Sequence, residues 1–280
     1  ADVAGKQAFE AHVGQAFELN QPGQNGWVGK EQSPYGVPLN VRYPACDPTA
    51  LLDAGEAAMD GWRALGVDGR TGVLLEAIAR LNRQSFEIAH AVMATTGQGW
   101  MMAFQAGGPH AQDRALEAVA YAYREQAAVP AQATWEKPQG KNPPIVMHKQ
   151  FEVVGRGTGL VIGCGTFPTW NTYPGLFATL ATGNPVIVKP HSNAILPAAI
   201  TVRTLRAVLS ENGIDPNLVT LLVSDDRAVT QALAASPRVH SIDFTGSNVF
   251  GNWLLQHARG QVYAELAGIN HVVIDSTDQY

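Results

Sequence analysis

Apolar positions along this chain recur at two different periods, and the change falls near residue 150. Before it, helical spacing dominates. Asp47-Pro48-Thr49 offers an N-cap with proline early in a helix, which predicts a helix to about Leu65, stopped by Gly66. Leu74, Leu75, Ile78 and Leu81 mark a second helix beginning near Arg70. Ile88 and Val92 continue a face that Thr96-Gly97 closes. A further helix runs from Arg114 to Gln126, with Leu116, Val119, Ala120 and Tyr123 on one face. Ahead of these, residues 1–48 carry turn signals such as Pro22-Gly23 and Asn25-Gly26 and read as an irregular arm. Thr134-Trp135 and Ile145-Val146-Met147-His148 flank a Pro/Gly/Lys-rich loop and predict a hairpin. Such an arm has edges open to strand addition.

From about Phe151, short apolar runs alternate with helical stretches. Strands are predicted at 159–162, 185–189, 219–223 and 239–244, with an extended segment at 261–266. Helices are predicted between them. This alternation predicts an α/β fold whose parallel sheet is covered on both faces, with right-handed crossovers. The chain divides at 1–130, 131–150 and 151–280.

Composition narrows the function classes. Hydrophobic residues make up 46% of the 280, enough for a substantial core, and the formal net charge of -5 is dispersed. No basic run points to nucleic acid, and no apolar stretch reaches spanning length. The start of the chain carries no leader pattern, so a cytoplasmic protein is the expectation. Cys46 and Cys164 are far apart, and the eight His residues form no metal-ligand spacing, so no metal site is expected.

Four positions carry candidate chemistry. Lys189 ends an apolar strand, where parallel sheets bind ligands, and could bond a ribose hydroxyl or phosphate; it could equally be a solvated strand-end lysine. Gly246-Ser247 opens a helix whose free N–H groups suit a pyrophosphate, although any helix can use a serine cap. The Gly-x-Gly-x-x-Gly fingerprint is absent. Glu265 lies in Tyr263-Ala264-Glu265-Leu266-Ala267-Gly268, a segment that reads as buried. Desolvation there should raise its pKa toward the range of a general base, unless it pairs with a cation or caps a helix. Cys164, after the strand ending at Ile162, reads as a buried thiol rather than a nucleophile, since no His or Lys is adjacent in sequence to activate it.

The three segments Gly183–Pro190, Phe244-Thr245-Gly246-Ser247 and Tyr263–Asn270, in this order, resemble the aldehyde dehydrogenase superfamily over about residues 50–280. Cys164-Gly165-Thr166-Phe167-Pro168-Thr169-Trp170-Asn171 looks most like the phenylacetic acid degradation members. The resemblance implies a Rossmann-like NAD or NADP domain over 151–280, an N-terminal helical region and a β-hairpin oligomerisation arm at 131–150. It implies a small aldehyde as substrate, oxidised to an acid, and a homodimer or homotetramer. Lys189 would contact the adenosine ribose, Gly246 and Ser247 the pyrophosphate, and Leu266 is grouped with these cofactor residues. Glu265 would activate the hydrolytic water.

Departures from the family pattern qualify this. Ser192 stands where an acidic residue often holds both ribose hydroxyls, which makes NADP acceptable by charge. Thr166 falls where the family has its oxyanion-donating Asn, and Asn171 could substitute only through a rearranged loop. Ala267 and Ile269 replace a Gly and a Lys. The cysteine nucleophile should follow Glu265 by about 35 residues, beyond Tyr280, so the catalytic domain is expected to be missing. A nucleotide-binding or assembly fragment without turnover, and an acyl-CoA-forming relative, stay open as alternatives.

Overall fold

A computed structural model describes residues 1–268 and 271–275. The segment read as an irregular arm opens on a helix, α1 (Asp2–Glu10), and folds back as an antiparallel pair, β1 (Gln24–Val28) and β2 (Tyr43–Cys46). Asp47 then caps α2 (Pro48–Ala64), its carboxylate accepting from the Thr49 N–H at 3.0 Å. Gly66, at φ +67°, opens α3 (Gly66–Arg83), and α4 (Ser85–Thr96) ends on Gly97 at φ +78°. That left-handed conformation favours glycine and closes the helix as the sequence predicts.

The next stretch, for which periodicity predicts no element, forms α5 (Trp100–Gly107). Helix α6 (Pro109–Ala127) buries Ala111, Ala115 and Val119, while Leu116 and Tyr123 are exposed. The predicted stripe was thus rotated. Close packing against the next helix admits alanine and excludes the larger side chains. Strands β3 (Gln132–Gln139) and β4 (Asn142–Gln150) make the predicted hairpin, almost wholly exposed.

The remainder alternates as expected: β5 (Thr158–Ile162), α7 (Tyr173–Ala181), β6 (Val186–Lys189), α8 (Leu196–Glu211), β7 (Val219–Leu221), α9 (Arg227–Ala234), β8 (Val239–Gly246), α10 (Asn248–His257) and β9 (Gln261–Leu266). The five strands pair in the order β7-β6-β5-β8-β9, all parallel. Alternation along the strands feeds two apolar layers. Val161, Val186 and Val188 join Trp62, Leu74, Phe177 and Leu209 in one; Leu160, Ile162 and Ile187 join Leu52, Leu233 and Leu254 in the other. Each such buried side chain stabilises by about 1.5–3 kcal/mol relative to exposure, before entropy is counted.

The N-terminal segment is tied to the sheet layer by buried polar groups. Arg206 on α8 donates to the carbonyls of Leu19 (3.1 Å), Asn20 (2.9 Å) and Val219 (2.8 Å). Helix α8 has no cap of its own. Glu31 supplies one, accepting from the Ile195 and Leu196 N–H groups and from the Tyr43 hydroxyl at 2.6 Å. Ile269, singled out above, lies outside the described residues.

Candidate functional site

Strand order reverses between β5 and β8, so the loops leaving their carboxyl ends diverge to opposite faces and leave a crevice. A groove of about 520 Å³ opens there. Its walls include Gly163, Thr166, Lys189, Ser192, Gly246 and Ser247. Sequence reasoning missed His191, Asp225 and Arg227, which also line it. The signal available was their place after β6 and β7, His191 and Asp225 in the loops and Arg227 at the start of α9.

Lys189 is half-buried, and its ammonium donates no hydrogen bond to a side chain among the described residues. Burial pulls its ammonium below the ordinary lysine value, and Asp225 offsets part of this. His191 is pulled down as well, by burial and then by Lys189. Ser247 caps α10, its hydroxyl accepting from the Phe250 N–H at 3.4 Å. Apart from the capped Phe250 N–H, the N–H groups of the first helical turn have no intrahelical acceptor, an arrangement that suits an anion. Gly246 is required for a reason the sequence did not show: a Cβ there would sit 2.6 Å from the Phe244 ring. Leu266 does not line the groove. Its side chain packs on Gly251 of α10, where a Cβ would meet it at 2.2 Å.

A second cleft, about 560 Å³, holds Glu265 with Asn171, Trp170, Arg114, Asp243 and Thr245. Thr245 and Phe244 line both spaces, so cleft and groove meet at the end of β8. Asn171 Nδ2 donates to Glu265 Oε2 at 2.9 Å, and Thr245 Oγ1 donates to the same oxygen at 3.4 Å. Oε1 is left without a hydrogen-bond partner among the described residues. Cys164 is buried and donates through Sγ to Asn171 Oδ1 at 3.4 Å, with Thr166 Oγ1 3.5 Å away. The structure therefore brings Asn171, not Thr166, to Glu265; Thr166 belongs to the groove.

The expectation that Glu265 is buried is overturned. Its side chain is exposed, because β9 is an edge strand with β8 as its one strand neighbour among the described residues. Asp243, not Glu265, is the carboxylate that burial desolvates. Burial, with the nearby Glu265 charge second, pushes the Asp243 carboxyl up to about 6. Both residues are lone carboxylates in apolar strand context, and sequence pattern does not separate an inner strand from an edge.

Comparison with known proteins adds a family to this geometry. The sequence model of the aldehyde dehydrogenase family matches residues 42–279. The chain belongs to that family. An NAD-dependent aldehyde dehydrogenase from Burkholderia multivorans superimposes with a TM-score of 0.94 at 60% identity, over 96% of this chain and 49% of that one. Alpha-ketoglutaric semialdehyde dehydrogenase 2 of Azospirillum brasilense is 36% identical over 45% of this chain and 25% of its own length. 1-pyrroline-5-carboxylate dehydrogenase of Bacillus licheniformis is 27% identical over 80% of this chain and 42% of its own. The chain spans about half the length, or less, of these relatives.

In this chain a strand-end ammonium, a helix N-terminus and a glycine-lined turn surround one groove. The half-buried ammonium and the uncapped N–H groups of the first turn are donors, and a dinucleotide's hydroxyls and pyrophosphate can accept from them. The residues present fit that group.

Proposed function

We propose that this chain carries the dinucleotide-binding and water-activating parts of an NAD(P)-dependent aldehyde dehydrogenase that oxidises an aldehyde to a carboxylic acid. The observation that carries the reading is the junction at Thr245, where the groove meets the Glu265–Asn171 pair. Lys189 and Ser192 would hold the adenosine ribose, and the first turn of α10 at Gly246-Ser247 the pyrophosphate. When bound, the coenzyme would supply the acceptor for the hydride released as the aldehyde carbon is oxidised.

The remaining steps belong to protein groups. Asn171 and Thr245 both donate to Oε2, which fixes the carboxylate and leaves Oε1 to take a proton from water. That water releases the acyl group from a thiolate. We assign the thiolate to a residue outside these 280. Cys46 is buried and accepts from Gln21 Nε2 at 3.1 Å, and burial pushes its thiol up. Cys164 is buried and engaged with Asn171. The same two observations favour a second reading, in which these residues alone bind the coenzyme without turnover. The substrate we propose is the ring-opened aldehyde of phenylacetate breakdown, on the likeness of the Cys164–Asn171 stretch. The catalyst acts as a homodimer or homotetramer in the cytoplasm.

The test is acid formation from a panel of aldehydes with NAD and NADP, using the protein at the full length of its relatives. Turnover that falls about 100-fold or more in Glu265→Gln, with coenzyme affinity retained, is the expected result. No acid from any aldehyde would end the reading.

A further inference from the structure

The turn after β6 presents Ser192, a neutral hydroxyl, to the groove and carries no carboxylate. The loop after β7 does carry one into the same space. Asp225 lines the groove together with Lys189 and Ser192, close enough that its charge acts on the Lys189 ammonium. Its neighbours are committed elsewhere. Asp226 caps α9, its carboxylate accepting from the Ala228 N–H at 2.8 Å, and Ser224 accepts from the Asp226 N–H at 3.1 Å. The partner of the Asp225 carboxylate among the described residues is Lys30, at 3.6 Å, whose side chain is 84% exposed. Water screens such a pair, so it leaves the carboxylate able to accept stronger hydrogen bonds.

We propose that Asp225 is the ribose-facing carboxylate of the groove: it accepts from the adenosine 2′ and 3′ hydroxyls and sets a preference for NAD over NADP. This deepens the reading of the groove as a dinucleotide site and rests on it. Lys189 approaches the same ribose from the end of β6, so an ammonium and a carboxylate divide the donor and acceptor work. A 2′-phosphate would bring a dianion against Asp225 and lose both accepted bonds. Two groove cations could offset this repulsion: Lys189, which the ribose hydroxyls engage, and Arg227, whose guanidinium lies over the Phe250 ring, 5.1 Å from the centroid, on the α10 wall. The acidic function that the neutral Ser192 lacks is thus supplied from the neighbouring crossover.

Titration calorimetry with NAD and NADP on the wild-type chain, Asp225→Ser, Asp225→Asn and Lys189→Ala decides the matter. Asp225 is exposed, so its replacement leaves the core intact. The wild type is expected to bind NAD about 10-fold more tightly than NADP, and both Asp225 variants to bring the ratio near one, chiefly by weakening NAD. An unchanged ratio in both variants, with Lys189→Ala weakening both coenzymes, overturns the assignment and leaves the groove standing. A wild type that prefers NADP also overturns it. Failure of the wild type to bind either coenzyme removes the groove reading and this assignment together.

Discussion

Asp243 lies two residues before Thr245 on the same face of β8, and its carboxylate accepts no hydrogen bond among the described residues. Burial pushes its carboxyl up to about 6, above the ordinary aspartate value of about 3.9. Between those values the native chain holds a proton that the unfolded chain has released. Stability therefore falls as pH rises through that window and stays lowered above it. Asp243→Asn removes the charge at nearly constant shape. It should raise stability at pH 7.5 by roughly 1–3 kcal/mol and flatten the slope between pH 4 and 6, as read by urea unfolding. An unchanged slope would show that Asp243 titrates normally. Glu265→Gln should move the Asp243 pKa down, because the Glu265 charge is part of what raises it; a carbon-13 titration of the carboxyl reads this directly. From sequence, Asp243 and Glu265 carry the same signature. Only strand order tells which is desolvated, and strand order is a property of pairing between distant segments.

Local signals fix the helix ends well where cap and helix are neighbours. Asp47 and Gly97 are legible for that reason, as is the β5–β9 alternation, which needs only runs of apolar residues. Helix α8 is different. Its cap, Glu31, lies 164 residues away in the chain, inside a segment whose Gly and Pro content conceals a folded pair of strands. Helix α5 has apolar residues on all sides, so no period stands out, and the alanine face of α6 carries less hydrophobic signal than the exposed Leu116 and Tyr123. The energetic ranking follows from burial. Asp47→Ala should cost about 1 kcal/mol, the worth of a surface cap. Glu31→Ala leaves a buried tyrosine hydroxyl and two N–H groups unpaired and should cost roughly 2–4 kcal/mol in urea unfolding. Since α8 follows the end of β6 that carries Lys189 and the turn that carries Ser192, that variant should also weaken coenzyme binding. Equal costs for the two substitutions would mean the Glu31 cap is not formed in solution.

One core runs from Phe17 to Val223, so the N-terminal helices and one face of the sheet stabilise each other. The β3–β4 hairpin stands outside it. Trp135 lies opposite Met147, and Lys137 opposite Ile145, which puts Trp135, Ile145 and Met147 on one face, each more than 40% exposed. A two-stranded ribbon is at best marginally stable in water, and an apolar face on one invites a second chain. Light scattering should give a multiple of the 29.9 kDa chain mass, and the pair Trp135→Glu with Ile145→Glu should reduce it to one chain without loss of helical signal. A monomeric wild type would contradict the arm's assignment.

The central claim is that the crevice between β5 and β8 receives the dinucleotide. A cavity of similar size, about 580 Å³, lies between α6, α7 and β9, lined by Tyr121, Pro174 and Tyr263 among others, and offers a built-in control. Hydrogen exchange of the chain with and without NAD separates the two sites segment by segment. Protection at 163–166, 189–193 and 245–249, with none at 117–126 or 174–182, is the result this account requires. Protection confined to the α6–α7 cavity, or none anywhere at saturating NAD, would contradict it.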